Sequence, residues 1–318
     1  MQGIKPIYKK ELSDHFSSYR FLILFALIAM VSMITAYMVG MSISKELKDI
    51  AKPKFVFLML FTSSGAWFSL VQFVAFFGPL IGLILGFDTI NRERNEGTLS
   101  KLLSQPIYRD AVINAKFLAG LTVVAIMMAS IVLLISALGL IMIGVIPGQE
   151  ECVRIFIYLI VSIMYLAFWL EVAILFSILF RSVATSALAG LAMWIFFSFF
   201  ISLGASAIAN SLTVDANDNN SDALVLRTKI ETTINLLSPM ELYTDSTTII
   251  INPMRKTTRT LVQMGMMEQL SMSRFSGPLP LSQSILVVMP YFIFLIAITV
   301  VFFAFSYVAF MRQEIRSL

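Results

Sequence analysis

Six long apolar stretches constrain the fold of this chain more than any other feature. A helix that crosses the hydrocarbon core of a bilayer needs roughly 20 mostly apolar residues. Stretches of at least that length lie at residues 21–41, 111–146, 155–180, 183–208 and 285–311, and another ends at residue 87 after beginning between 55 and 67. We therefore expect an all-α integral membrane protein with six transmembrane helices. Only Arg181 and Ser182 separate the fourth from the fifth, which predicts a tight helical hairpin.

The second stretch is longer than one span needs, and Thr62-Ser63-Ser64-Gly65 interrupts it. One long tilted helix would fit its length, and so would a short re-entrant piece followed by one span. We favour a single span with an irregular outer end.

Composition agrees with a chain embedded in lipid and excludes an ordinary cytosolic enzyme, a disordered protein and a disulfide scaffold. Hydrophobic residues make up 58% and charged residues 13% of the chain, against about 45–50% and 25% in soluble domains. The single cysteine, Cys152, and the single histidine, His15, exclude an intrachain disulfide and a Cys/His zinc cluster. Because the sequence has no phosphate loop, no His-Glu-x-x-His and no Gly-x-Ser-x-Gly motif, we do not expect an enzyme.

Lysine and arginine near the span ends predict the orientation, since cytoplasmic loops are enriched in them. With six spans both termini lie on one side, which carries Lys5, Lys9, Lys10, Arg20, Arg92, Arg94, Lys101, Arg109, Lys116, Arg181, Arg312 and Arg316. The opposite short loops carry only Lys45, Lys48, Lys52, Lys54 and Arg154. The four lysines, which lie between the first two spans, are a counter-signal. We expect a multi-pass plasma-membrane protein with both termini in the cytoplasm.

This orientation divides the chain into four parts. Residues 1–20 are a predicted interfacial helix, with apolar side chains at three- and four-residue steps: Ile4, Tyr8, Leu12, Phe16 and Tyr19. Residues 21–209 hold the first five spans and a cytoplasmic loop at 88–110. Residues 210–284 are a helical external segment, with one helix predicted to end at Ser238-Pro239 and a second possible helix at 257–270. Residues 285–318 hold the sixth span and a cytoplasmic tail.

Two features inside the spans are candidates for function. Glu171 is predicted near mid-bilayer, where a carboxylate is costly unless it is protonated, paired or hydrated. It is either a transport site, with Gln72 as a possible pathway neighbour, or a protonated tie between two helices. The second span ends in small residues at four-residue steps, which predict a close packing seam or a hinge: Gly78, Pro79, Gly82 and Gly86.

Methionines cluster in the external segment at Met264, Met266, Met267 and Met272. Thioethers suit soft metal ions, but methionine is also a common apolar filler, and no cysteine or histidine lies nearby. We therefore expect no metal site, and these methionines are only weak candidates.

The cytoplasmic loop predicts a short amphipathic helix. A run of charges is followed by Gly97, by Thr98 as a possible cap and by Pro106 as a stop, while Leu99, Leu102 and Leu103 form an apolar face. The helix lies on lipid headgroups, or it is a knob that fits a groove on a soluble partner.

At these residues the sequence resembles the type-2 ATP-binding-cassette (ABC) exporter permeases. The pattern Glu93-x-x-Glu96-Gly97-Thr98-Leu99-x-x-Leu102-Leu103-x-x-Pro106-x-x-Arg109, with Lys116 opening the next span, is similar to that family's signature loop. The start of the chain, from Lys10-Glu11-Leu12 to Phe21, is similar to its elbow helix, and Leu237-Ser238-Pro239-x-x-Leu242-Tyr243, with Asn252-Pro253 after it, to part of its external segment. The closest subgroup includes permeases for copper-enzyme maturation and others that export peptides or lipids.

The resemblance implies a permease driven by two cytoplasmic ABC ATPase subunits, together with a second permease copy or a paralogue. ATP and magnesium would be bound by the ATPases, this chain would bind no cofactor, and its other contacts would be with lipid and not with nucleic acid. The loop would carry the coupling helix, and the turn at Arg181-Ser182 would be a second, smaller contact. The implied coupling residues are Arg92, Glu93, Arg94, Glu96, Gly97, Thr98, Leu99, Leu102, Leu103, Pro106, Arg109 and Arg181.

Two other classes of function are alternatives to an ABC permease. A stand-alone secondary transporter or channel would use Glu171 as its ion or proton site. A membrane-embedded enzyme is disfavoured because the sequence offers no nucleophile–base pair.

Overall fold

A computed structural model describes residues 3–46, 55–62, 69–212, 221–254 and 278–313. Every regular element in these ranges is a helix: α1 (Ile4–Ser17), α2 (Tyr19–Glu46), α3 (Val56–Thr62), α4 (Leu70–Gly86), α5 (Asn91–Asn95), α6 (Thr98–Leu103), α7 (Arg109–Ile143), α8 (Gln149–Leu179), α9 (Val183–Ile195), α10 (Ile201–Leu212), α11 (Ser221–Asn235), α12 (Pro239–Ile251) and α13 (Leu281–Arg312). A π-helical turn, Phe196–Phe200, joins α9 to α10.

The prediction of six spans is confirmed. Within the described residues, six helices are long and apolar enough to cross a membrane: Tyr19–Lys45, Leu70–Asn95, Arg109–Ile143, Gln149–Leu179, Val183–Leu212 and Leu281–Arg312. The hairpin between the fourth and fifth spans is tight as expected, since α8 ends at Leu179 and the Ser182 hydroxyl caps the start of α9. The fourth span begins at Gln149, before the predicted residue 155, because Glu151 caps a polar first turn that apolar periodicity does not reveal.

The helices pack around α8 and α4. In the most apolar part of each span, 72% of the residues are buried inside the protein for the fourth span and 67% for the second. The share is 11% for both the fifth and the sixth spans. The central pair is in contact along the glycines of α4. The fifth and sixth spans therefore present most of their apolar side chains outward.

The second apolar stretch contains two helices. Its single span is α4, which starts with a reciprocal capping interaction between Ser69 and Gln72. The irregular outer end contains the short buried helix α3, whose first turn is held by the Glu151 carboxylate, 3.1 Å from the Phe57 backbone nitrogen. The stretch is therefore not one long helix: a short helix precedes a single span.

The segment predicted to be external contains a helix that the sequence did not predict. The predicted stripe forms α11, which packs on α10. Ser238-Pro239, expected only as a helix end, also starts α12: Pro239 occupies its first turn and the Ser238 hydroxyl accepts a hydrogen bond from the Glu241 nitrogen. Because α12 packs against α8 and α13, its apolar residues are buried. The possible helix at 257–270 lies outside the described residues.

Candidate functional site

The signature loop forms a compact pair of short helices at one end of the bundle, which we call the loop end. The chain turns between α5 and α6 at Gly97, whose φ of 69° is a left-handed conformation that favours glycine. Thr98 is the first residue of α6 and not its cap, and its hydroxyl donates to the Glu93 carbonyl oxygen at 3.2 Å. The loop therefore has a defined shape and is not an extended connector.

The apolar face of α6 is turned toward the permease itself. Leu99 is only 1% exposed, and Leu102 and Leu103 pack against the same core. The expectation that Leu99 is presented to a partner or to lipid is therefore wrong, whereas Leu102 and Leu103 are only partly buried. The exposed residues of the loop are instead Arg92, Asn95, Glu96, Gly97, Thr98, Lys101, Ser104, Gln105, Pro106 and Tyr108.

A cluster of two lysines and two glutamates joins the loop to α1 and α7. Glu93 of α5 lies 3.0 Å from both Lys10 of α1 and Lys116 of α7, and Glu11 of α1 lies 3.1 and 2.9 Å from the same lysines. The Lys116 side chain is 1% exposed. Burial disfavours the charged forms of these side chains, but the contacts between them outweigh it. The facing glutamates raise the pKa of Lys10, and the lysines lower the pKa of Glu11. We call these four residues the lysine–glutamate cluster.

The other side of α5 is attached to the second half of the bundle. The Ser177 hydroxyl, near the end of α8, accepts hydrogen bonds from the Ile90 and Asn91 nitrogens at 2.9 and 3.1 Å. The Arg94 guanidinium donates to the Ile178 carbonyl oxygen at 3.4 Å and to the side-chain oxygen of Gln313, which follows α13. The loop is thus anchored to both halves of the permease.

Arg109 and Arg181 complete these attachments. The Arg109 guanidinium donates to the Gln313 carbonyl oxygen at 3.1 Å. The Arg181 carbonyl oxygen accepts a hydrogen bond from the Asn95 amide at 3.1 Å, which ties the α8–α9 turn to α5. Both residues therefore lie at the loop end, as the sequence predicted, with Arg181 acting here through its backbone.

A cleft of about 840 Å³ separates α1 from the loop. Its walls carry charges of both signs, including Arg20 and Asp88, which are 2.6 Å apart and link the start of α2 to the end of α4. His15 also lines it, and burial lowers the pKa of this histidine, so its imidazole is favoured in the neutral form. The cleft is a polar opening beside the lysine–glutamate cluster.

Comparison with known families identifies this architecture. A family profile described as "ABC-2 family transporter protein" matches residues 5–315. The chain belongs to the ABC-2 transporter family. It is therefore a multi-pass membrane permease subunit of an ABC transporter, and its family associates with ABC ATPases. A search of curated proteins finds no significant match.

The predicted glycine seam of the ABC-2 permease is a close contact between α4 and α8. A side chain at Gly82 would place its Cβ 2.6 Å from the Leu170 nitrogen, and one at Gly86 would lie 2.7 Å from the Ala173 Cβ. Gly78 faces Leu166 in the same way at 3.0 Å, and Pro79 is buried between them. The seam sets the distance between the two central helices.

Glu171 is fully buried in α8. Within the described part of the chain neither carboxylate oxygen has a hydrogen bond of standard geometry, although the Ser306 hydroxyl of α13 interacts with it. Gln72 is exposed and caps α4, so the structure does not bring it to Glu171. The carboxyl group faces α13 across the bundle, a neighbour that local sequence could not indicate.

An apolar cavity of about 420 Å³ lies beside the π-helical turn of the fifth span. It is lined by phenylalanines from α8, the π-helical turn and α13, and by the connection from α11 to α12. The Phe197 carbonyl oxygen in the π-helical turn accepts a hydrogen bond from the Ser238 hydroxyl at 3.0 Å. This contact fixes the start of α12 against the fifth span at the edge of the cavity.

Sequence reasoning missed the role of Arg154 at the opposite end of the bundle. Its side chain is fully buried and donates to Glu150 at 2.8 Å, to the Ile250 and Leu279 carbonyl oxygens at 2.8 and 2.7 Å, and to the Ser284 hydroxyl at 3.2 Å. It therefore joins α8 to the end of α12 and the start of α13. The available signal was a charged residue at the edge of an apolar stretch.

The weak metal candidates, Met264, Met266 and Met267, lie outside the described residues.

Proposed function

We propose that this ABC-2 permease exports its substrate, with both termini in the cytoplasm and ATP hydrolysis in two separate ATPase subunits that dock on the loop end. The lysine and arginine distribution supports this orientation. ATP and magnesium belong to those ATPases, and this chain supplies no cofactor site. The motifs of the loop and the elbow helix support placing the permease in the subgroup that includes copper-enzyme-maturation permeases.

One observation carries the docking proposal: α6 buries Leu99 against the permease and exposes polar side chains on its other side. The exposed face of α6 and the residues after it includes Thr98, Lys101 and Gln105. Buried Leu99 and the partly buried Leu102 and Leu103 pack this helix on the bundle, and α5 anchors it. A rigid polar surface of this kind suits contact with a water-soluble ATPase better than insertion into lipid.

Charge on this face tests the docking proposal. Because each exposed polar contact contributes only about 0.2–1 kcal/mol, three substitutions are combined: Thr98→Glu, Lys101→Glu and Gln105→Glu. The triple variant is expected to lose its partner ATPase during co-purification, while its own size-exclusion profile is unchanged. Lys9→Glu, an exposed change on α1, is the control and keeps the ATPase. Wild-type stoichiometry in the triple variant would reject α6 as the docking site.

The native cysteine tests the orientation. Cys152 is exposed and lies at the end of the bundle opposite the loop. It is expected to react with an impermeant maleimide on intact cells, whereas Ser100→Cys in a Cys152→Ser background reacts only after the membrane is opened. The reverse pattern would place the loop, and hence ATPase docking, outside the cell.

The assembly is proposed to contain two permeases, either identical or paralogous, with two ATPases. The outward apolar faces of the fifth and sixth spans leave surface for a second copy. Native mass spectrometry of the detergent-solubilised complex is expected to give a two-plus-two mass. A single permease with one ATPase at all concentrations would contradict this assembly.

A further inference from the structure

Two neighbouring residues of α5 are directed to opposite halves of the permease. Glu93 contacts Lys10 of α1 and Lys116 of α7, whereas Arg94 contacts the Ile178 carbonyl oxygen at the end of α8 and the side chain of Gln313 after α13. The short helix therefore has one charged arm to the first half of the chain. Its hydrogen-bonded arm to the second half consists of Arg94 together with the Ser177 and Arg181 contacts.

Burial argues that the first arm is intramolecular and not a partner contact. The Glu93 side chain is 13% exposed and that of Lys116 1%. The neighbouring ion pair of the same helix, Arg92–Glu96, is 60% and 52% exposed and is free to meet a partner. Along α5 and the residue after it, the Arg92–Glu96 pair is therefore exposed, whereas Glu93 is mostly buried against α1 and α7.

We propose that α5 is a two-armed bracket that transmits movement of the docked loop separately to the two halves of the permease, through Glu93 to α1 and α7 and through Arg94 to α8 and α13. The bracket rests on the proposed docking of ATPase on α6. Glu93 and Arg94 are positioning residues in this arrangement: they act on the spans and touch neither ATPase nor substrate.

Moving the lysine–glutamate cluster as a unit costs less free energy than separating Glu93 from Lys10 and Lys116. Glu93 is shared by two lysines, and removing its charge leaves Glu11 as the other glutamate between them. Breaking one partner out of a buried ionic cluster is unfavourable because the remaining charges keep their desolvation penalty. When the loop moves, α1 and the start of α7 are therefore carried with it.

Distances between spin labels test each arm separately in the permease alone, in nanodiscs and in a Cys152→Ser background. One label pair, at Ser13 of α1 and Ser104 after α6, reports the Glu93 arm. A second pair, at Ser104 and Met311 of α13, reports the Arg94 arm. All three positions are exposed. The wild type is expected to give a narrow distance distribution for both pairs.

The bracket predicts a crossed pattern in two variants. Glu93→Gln is expected to broaden the Ser13–Ser104 distribution and leave Ser104–Met311 narrow, and Arg94→Gln is expected to do the reverse. The control Arg92→Gln, which breaks the exposed pair on the same helix, leaves both narrow. If Glu93→Gln does not assemble, Glu93→Asp keeps the charge with a shorter reach and is expected to broaden the first pair partially. The proposal is overturned if either arm's variant leaves its own pair narrow, or if both variants broaden both pairs equally.

Activity separates the bracket from the docking proposal. In the complex, Glu93→Gln and Arg94→Gln are expected to retain the ATPase at wild-type stoichiometry but to lower the permease-dependent increase in ATP hydrolysis about fivefold or more, the lower end of typical coupling between sites. Loss of ATPase binding in these variants would instead make Glu93 and Arg94 docking residues and reject the bracket. Failure of docking on α6 is recognised independently by the triple α6 variant.

Discussion

Gly82 of α4 and Leu170 of α8 bring two membrane helices into backbone contact, with room for no side chain between them. A Cβ at Gly82 would lie 2.6 Å from the Leu170 nitrogen and 2.8 Å from the Leu166 carbonyl oxygen. Because both obstacles are backbone atoms, no rotamer change can relieve the overlap. Small residues at such positions allow close helix packing in membranes.

Gly82→Ala is therefore expected to destabilise the permease by roughly 1–3 kcal/mol, the usual cost of overpacking. The measurement is the midpoint of thermal unfolding by fluorescence-detected size exclusion. Gly204→Ala in α10 is the matched control, since a Cβ there meets nothing within 4 Å. Equal midpoints for the two variants would show that α4 and α8 separate easily.

Leu99→Asp is expected to destabilise the permease itself by about 3 kcal/mol or more, because it removes a buried apolar side chain and places a carboxylate in the core. Lys101→Asp lies on the same helix but is exposed, and a change within about 0.5 kcal/mol is expected. Thermal unfolding of the permease without ATPase measures both. A stable Leu99→Asp protein that loses only its ATPase would restore the leucines as a docking knob.

Arg154→Met is expected to cost roughly 3–5 kcal/mol, since it leaves the buried Ile250 and Leu279 carbonyl oxygens without their donor. Arg154→Lys keeps the charge but not the planar fork, and we expect an intermediate loss. Arg227→Met, at an arginine whose side chain is 42% exposed and paired with Glu231, is the control with little effect. Urea or thermal unfolding in detergent, together with protease sensitivity near residue 254, measures the release of α12.

Acid sensitivity is expected from Glu11. The lysines lower its pKa in the folded protein, so its contribution to stability is fully present above the unfolded value of about 4.3 and is lost as the pH falls through the folded pKa. The unfolding midpoint of the wild type should therefore drop as the pH falls below about 4.3. Glu11→Gln should begin lower and drop less, whereas Asp14→Asn, at a 63% exposed side chain, should follow the wild type. An unchanged slope in Glu11→Gln would contradict the assignment.

Glu171→Gln is expected to be nearly silent, within about 1 kcal/mol, because the described structure provides no cation for this buried carboxyl and glutamine keeps hydrogen-bonding groups for Ser306. Thermal unfolding and the pH profile of permease-dependent ATP hydrolysis are the measurements. A shifted pH profile with normal stability would show that proton exchange at Glu171 takes part in transport.

Short-range pattern was sufficient for the six membrane spans and for the loop helix. Runs of about 20 apolar residues predicted six spans, the pair Arg181-Ser182 predicted the hairpin, and Gly97 with Pro106 bounded the loop helix. These features depend on neighbours within a few turns, because backbone hydrogen bonds in lipid must be satisfied inside each segment. The glycine steps of α4 likewise predicted a packing seam.

Only the tertiary structure decided what each charged or apolar face meets. Periodicity showed that Leu99, Leu102 and Leu103 share a face, but not that the permease's own core buries Leu99. It could not pair Glu93 with Lys10 and Lys116, since these residues lie 83 and 23 positions away, nor place Arg154 against the end of α12. Burial and ion pairing depend on which distant helix closes over a side chain, and that is a property of the packed bundle and not of any single segment.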